Sequence, residues 1–188
     1  MGDYTNLTMT VYSADPMVRT AVRGIFEDYS GTFTWRDEED ATSLSFGVNE
    51  ARCGSAQELA SALTTAMTDP SHETECGFCK GGGCENCDDS GVVMVTLSPF
   101  AFTLWEDPKY EWLGELWRYA PEAGAYSADC DADGNAVLNT SQVLKLVQEA
   151  TDLVALKAEV ARLTGRYVIE AQQEFIATLT TTTTEENA

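Results

Sequence analysis

The chain has 188 residues, 44% of them hydrophobic, and a formal net charge of −20 from 31 acids against 11 lysines and arginines. That length suffices to bury a sizeable core, as one large domain or one domain plus appendages. The charge repels phosphate backbones and anionic membrane surfaces, so direct binding to nucleic acid or membrane is not expected; it reads first as a solvated surface that keeps the protein soluble and second as a surface that meets a basic protein partner.

Residues 1–6 include Asp3 and no basic cluster, so no secretory leader is expected. Leu7, Met9 and Val11 alternate with Thr8, Thr10 and Tyr12, which predicts a half-buried strand. Asp15 and Pro16 supply an N-cap and a first-turn proline for a helix carrying Val18, Val22, Ile25 or Phe26, and Tyr29, with Gly31 as its stop. Phe33/Trp35 and Leu44/Phe46/Val48 predict two strands joined by the acidic loop Asp37, Glu38, Glu39, Asp40. Ser55 and Glu58 predict a capping box for a second helix with Leu59, Leu63 and Met67, ending before Asp69-Pro70. Beyond a cysteine cluster, Val93, Val95 and Leu97 predict another strand. The order β-α-β-β-α-(insert)-β is that of an α+β, ferredoxin-like split βαβ sandwich.

Residues 99–139 predict an antiparallel meander, with turns at residues 121–124 and 131–134. Thr140 or Ser141 caps a third helical region, residues 140–179. Within it Leu153, Leu156, Val160, Leu163 and Tyr167 keep a heptad rhythm that Gly165 weakens. That stripe is either a homodimer seam or a helix face packed on its own sheet. The run Thr180 to Thr184 and the residues after it form a polar tail, 180–188, expected to be disordered. The implied organisation is a core of residues 1–70 plus 92–98, a metal knuckle at 71–91, the meander and the helical region. The longest apolar stretch, residues 92–104, is too short to span a bilayer and contains Pro99. A cytoplasmic, reducing location is therefore expected, in which six cysteines serve as metal ligands and buried thiols rather than disulfides.

Four of those cysteines lie in two Cys-x-x-Cys pairs, Cys76/Cys79 and Cys84/Cys87, separated by Lys80 and three glycines. Each pair forms a tight turn aiming two sulfurs at one point, and two such turns make the tetrahedral thiolate cage that Zn2+ accepts. With all four ligands from protein, no position is left for a catalytic water, so the expected zinc is structural. An iron–sulfur cluster and paired redox dithiols are the alternatives. Residues 76–91 resemble the Cys-x-x-Cys-x-Gly-x-Gly repeat of DnaJ-type zinc domains, with Asp89 in place of one glycine and no spacer between the two units. The resemblance implies a zinc knuckle and does not extend to chaperone activity, because no His-Pro-Asp tripeptide occurs. The stretch from Phe102 through Trp117, with the later Ala-Asp-Cys-Asp-Ala-Asp-Gly, resembles small proteins of actinobacteria and their phages, which implies a mobile-element origin.

Other chemistry-bearing residues are sparser. His72 is the single histidine, a spare ligand or a surface residue. Cys53 and Cys130 are expected as inert buried thiols. Asp129, Asp131, Asp133 and Gly134 match half a calcium loop, but Thr140 stands where a bidentate Glu is wanted, and an Asp-Gly turn explains the same residues. Residues 37–40 and Glu106-Asp107 are candidate carboxylate sites. Trp105, Tyr110, Trp112, Trp117 and Tyr119 are expected chiefly in the core. Three functions fit: a non-catalytic interaction or regulatory protein, a DNA mimic whose carboxylates replace phosphates, and an enzyme with a carboxylate or divalent-metal site.

Overall fold

The structure, a computed structural model, describes residues 4–30, 35–52, 54–68, 71–75, 79–80, 82–85, 88–109 and 113–186; side chains at 28–30, 35–37, 50, 52, 71–75, 92–96 and 182–186 are not part of the description. Six strands make one antiparallel sheet: β1 (Tyr4–Tyr12), β2 (Trp35–Glu39), β3 (Ser43–Arg52), β6 (Ala101–Glu106), β7 (Gly114–Ala120) and β8 (Gly124–Cys130). Their order is β2-β3-β1-β6-β7-β8. A separate two-stranded sheet pairs β4 (Ser71–Glu75) with β5 (Val92–Thr96). Five helices are described: α1 (Pro16–Ser30), α2 (Ser55–Thr68), α3 (Thr140–Glu149), α4 (Leu153–Leu163) and α5 (Arg166–Glu186).

The period-two patterns place the core. Leu7, Met9 and Val11 on β1, and Leu44, Phe46 and Val48 on β3, are each at most 2% exposed. Val18, Val22 and Phe26 of α1 and Leu59 and Leu63 of α2 close over that face, with Phe26 stacked on Phe46 at 4.4 Å between ring centroids. Asp15 caps α1 as its sequence predicts, its Oδ1 accepting from the Met17 N–H at 2.8 Å. Gly31 and Phe33 lie outside the described residues. Asp37, Glu38 and Glu39 belong to β2 itself rather than to a loop, and Asp40 alone makes the turn, accepting from the N–H groups of Thr42 and Ser43 at 2.7 Å. β2 is an edge of the sheet, and its Glu39 is tied to α1 by Arg19 and Arg23 at 2.6 and 2.7 Å.

The strand expected from Val93, Val95 and Leu97 to complete this sheet does not do so. It pairs with β4, and the neighbour of β1 is β6, in register Leu7↔Glu106 to Tyr12↔Ala101. Alternation alone could not separate the two runs, since Ser98-Pro99 divides two segments of equal strand character. Residues 101–106 carry the bulk the core needs: Phe102 and Leu104 are fully buried. The meander β6-β7-β8 therefore continues the main sheet. Phe102 and Leu104 and their register partners Tyr119 and Trp117 pack into the core under α1 and α2.

The opposite face is covered by α5. There Thr103 Oγ1 donates to Gln172 Oε1 at 3.3 Å, while the buried Gln172 Nε2 donates to the carbonyls of Phe102 and Tyr119 at 2.6 and 3.0 Å. The third helical region starts at neither Thr140 nor Ser141 as cap. Asn139 is the N-cap, in a reciprocal capping box with Gln142. Gly165, at φ +66°, ends α4 and separates it from α5, so the predicted heptad is split, with Tyr167 on the second helix. The helix α5 runs through Thr180–Thr184 to Glu186, where a disordered tail was expected; Thr180 and Thr181 hydroxyls donate back to the carbonyls of Ile176 and Ala177. Among the described residues no helix is long and apolar enough to cross a membrane.

Candidate metal centre

The last register pair of the small sheet is Glu75↔Val92. The hairpin thus brings Glu75 beside Val92, the two residues that flank the cysteine-containing connection between β4 and β5. Cys76 and Cys87 lie outside the described residues, as do Cys53, Tyr110 and Trp112; Cys79 and Cys84 are half-buried.

The two Cys-x-x-Cys units share one backbone feature where they are described. The residue directly after each pair, Lys80 and Asp88, adopts the left-handed conformation at φ +47°. Neither is a glycine, and a left-handed residue with a Cβ costs about 1–2 kcal/mol. Strain of that kind persists where surrounding structure requires it. The backbone bonds that follow differ: the Gly82 N–H donates to the carbonyl of Cys79, the second cysteine of its pair, and the Asp89 N–H to that of Cys84, the first of its pair, both at 3.0 Å. The units also touch. At Gly83, φ +82°, an added Cβ would stand 2.8 Å from the Asp89 carbonyl oxygen, a closeness only glycine allows. Two Cys-x-x-Cys pairs, each followed by a left-handed residue and with Gly83 set against Asp89, would suit the soft, tetrahedral coordination of a Zn2+ ion.

His72 lies on β4 in register with Val95. Among the described residues no group of three or more His, Cys, Asp or Glu is gathered for a metal. The half calcium loop is a turn built by one side chain. Asp131 Oδ1 accepts from the N–H groups of Asp133 and Asn135 at 3.0 and 2.8 Å, and Oδ2 from Asn135 Nδ2 at 3.2 Å. These bonds to Asn135 hold the Asp131 carboxyl below its usual range.

The candidate carboxylates Glu106 and Asp107 separate. Asp107 accepts from Asn6 Nδ2 at 2.9 Å. Glu106 is fully buried and faces the start of α2, accepting from the N–H groups of Gly54, Ser55 and Ala56 at 2.9, 2.9 and 3.1 Å. It does what the Ser55–Glu58 box was expected to do. Burial pushes its carboxyl up, against the pull of those three N–H donors. Beside it Cys130 is buried, its thiol pushed up to about 12 by burial and then by the neighbouring Asp131, so it stays protonated and unreactive.

Trp105 covers Gly134 at φ +71°, where an added Cβ would meet the indole at 2.9 Å. Trp117 donates its Nε1–H to Glu115 Oε1 at 2.8 Å. Of ten large hydrophobics that the described chain exposes, seven lie between Val143 and Tyr167; the heptad named Leu153, Val160 and Tyr167 among them, and sequence reasoning missed Val143, Leu144, Val147 and Val154. The signal was present in α3, whose Val143, Leu144 and Val147 share one side of the helix without carboxylates between them.

Fold and site together define a mixed α/β protein with a cysteine-rich hairpin inserted between α2 and β6. Residues 91–181 match DUF3145, described as a protein of unknown function, a stretch that runs from the end of the cysteine cluster into α5. No curated protein and no solved structure matches the chain.

Proposed function

We propose that the chain is an acidic protein-interaction or regulatory module, non-catalytic, with a structural Zn2+ held by Cys76, Cys79, Cys84 and Cys87. The observation that carries this reading is the repeated left-handed turn at Lys80 and Asp88, each one residue past a cysteine pair, with Gly83 seating one unit against the other. The ion would supply cross-linking and no reaction step, since four thiolates leave no coordination position for substrate. Its binding energy, on the order of 10 kcal/mol in small zinc peptides, would hold the hairpin tip folded. A thiolate site of this kind suits the reducing cytoplasm.

The strand order β2-β3-β1-β6 with α1 and α2 supports reading the first half, completed by β6, as a ferredoxin-like split βαβ unit that carries the knuckle on its last connection. The partner is a basic protein surface. The support is charge: residues 1–140 hold 24 acids against 7 bases.

Native mass spectrometry of full-length protein, purified with reductant, tests the metal. One zinc per chain is expected, lost on Cys79→Ser; metal-free wild type, folded and with free thiols, overturns the assignment.

A further inference from the structure

We propose that the outer edge of β8 takes up an extended segment of a partner as the next strand of the main sheet; this rests on the reading of that partner as basic. β8 ends the strand order, so one side of it has no neighbouring strand. A further strand is begun there and then given up. The Val137 N–H donates to the Asp129 carbonyl at 2.9 Å and Cys130 bridges to Ala136, but Asn139 then caps α3 and carries the chain away. Backbone groups alternate in direction along an antiparallel strand. Since Asp129 turns its carbonyl outward, Ser127 and Ala125 turn both N–H and C=O outward too, and among the described residues no backbone bond meets theirs. Such a row of unpaired groups is a template for another strand. Beside it lies a groove of about 410 Å3, bounded on its far side by Val137, Leu138, Gln142, Leu163 and Tyr167.

The side chains along the edge set the chemistry of the segment. Tyr126 faces the helices, its hydroxyl donating to the Leu163 carbonyl at 2.7 Å and its ring edge-on to Tyr167 at 6.4 Å. Ser127 and Asp129 alternate to the other face, where both are exposed. An incoming strand therefore meets rings and apolar groups on one face and a carboxylate on the other, which fits alternating apolar and basic residues. Opposite charges on neighbouring strands attract and like charges repel. From residue 119 to residue 144 the chain carries Glu122, Asp129, Asp131 and Asp133 and no lysine or arginine. Arg162, which also lines the groove, is bonded to Glu159 at 2.9 and 2.6 Å. A second copy of β8 would set the same acids against these, so charge selects a basic chain instead.

The probe is the heptapeptide acetyl-Lys-Val-Lys-Val-Lys-Val-Lys-amide, titrated into the full chain by calorimetry at about 0.15 M ionic strength. It is expected to bind, to slow amide exchange at Ala125 and Ser127, and to bind Cys79→Ser equally well, since no cysteine of the cluster takes part. Ser127→Pro removes one outward N–H, keeps the charge and sits where an edge strand tolerates proline. It should weaken binding roughly tenfold while keeping the circular dichroism of the wild type. Asp129→Asn should weaken it less and flatten its salt dependence. Equal binding to wild type and Ser127→Pro, unchanged exchange at Ala125 and Ser127, or binding of heptalysine alone overturns the proposal and leaves the basic partner standing. If neither peptide binds, both readings fall. A dimer that Ser127→Pro dissolves makes the occupant a second copy and overturns the proposal too.

Discussion

Glu106 Oε1 accepts the Ser55 N–H at 2.9 Å across a sequence separation of 51 residues. The last residue of β6 therefore caps the first turn of α2, and with Gly54 and Ala56 it meets three N–H groups that a helix start leaves unpaired. Glu106→Ala strands those donors in a dry site and opens a cavity. The expected loss is about 3 kcal/mol, or roughly 6–12 °C in thermal midpoint for a chain of this size. Calorimetry of the two proteins checks it; a shift within error would mean the cap contributes nothing.

The same group sets a pH dependence with an unusual sign. Burial raises the Glu106 carboxyl above 4.5, so the folded chain binds this proton more tightly than the unfolded one. Its contribution is complete below the unfolded value and declines as pH rises through the raised one. The stability of wild type relative to Glu106→Gln should therefore fall as pH is raised upward from about 4.5. Asp131 has the opposite sense: Asn135 lowers it, so its contribution is present above 3.8 and lost on acidification below that. Urea titrations of Glu106→Gln and Asp131→Asn across the acid range should give difference curves of opposite slope.

What could be read from the sequence was whatever depends on neighbours along the chain. The alternation of Leu7, Met9 and Val11 and the helical spacing of Val18, Val22 and Phe26 name buried faces correctly, because burial follows the period of the element. Asp15 is legible as a cap since its acceptor lies two residues from the donor. Glu106 is not, because its function depends on β6 lying beside β1, and Ser98-Pro99 hides which of two similar runs makes that pairing. The heptad failed for a related reason: Gly165 reads as a weak point in a helix, yet the Tyr126 ring against it makes it an end. At the cysteine cluster, the sequence supplies the proposed donor set, while the left-handed conformation of Lys80 and Asp88 belongs to the backbone.

Two glycines should respond in opposite directions to alanine. Gly24 lies exposed within α1 with nothing within 4 Å of an added Cβ, so Gly24→Ala is expected to stabilise by about 1 kcal/mol through helix propensity. At Gly165, φ +66°, the Cβ would stand 2.5 Å from the Tyr126 ring, whose hydroxyl donates to the Leu163 carbonyl at 2.7 Å. Gly165→Ala must strain the backbone and displace that ring, at a cost of at least about 2 kcal/mol. Equal midpoints for the two variants would contradict the assigned conformations.

Gly83 offers the most local test of the metal centre. Its backbone, φ +82°, presses against the carbonyl of Asp89, and that approach keeps the two cysteine units side by side. Gly83→Ala leaves all four thiols in place yet forces the units apart or strains the turn by about 1–2 kcal/mol. Zinc affinity, measured by competition with a chromophoric chelator, should weaken roughly tenfold. Gly47→Ala, in β3 with open space around its Cβ, is the matched control and should bind as wild type does. Should both variants hold zinc equally well, the contact between Gly83 and Asp89 plays no part in the site, and the two turns would have to close on the ion independently.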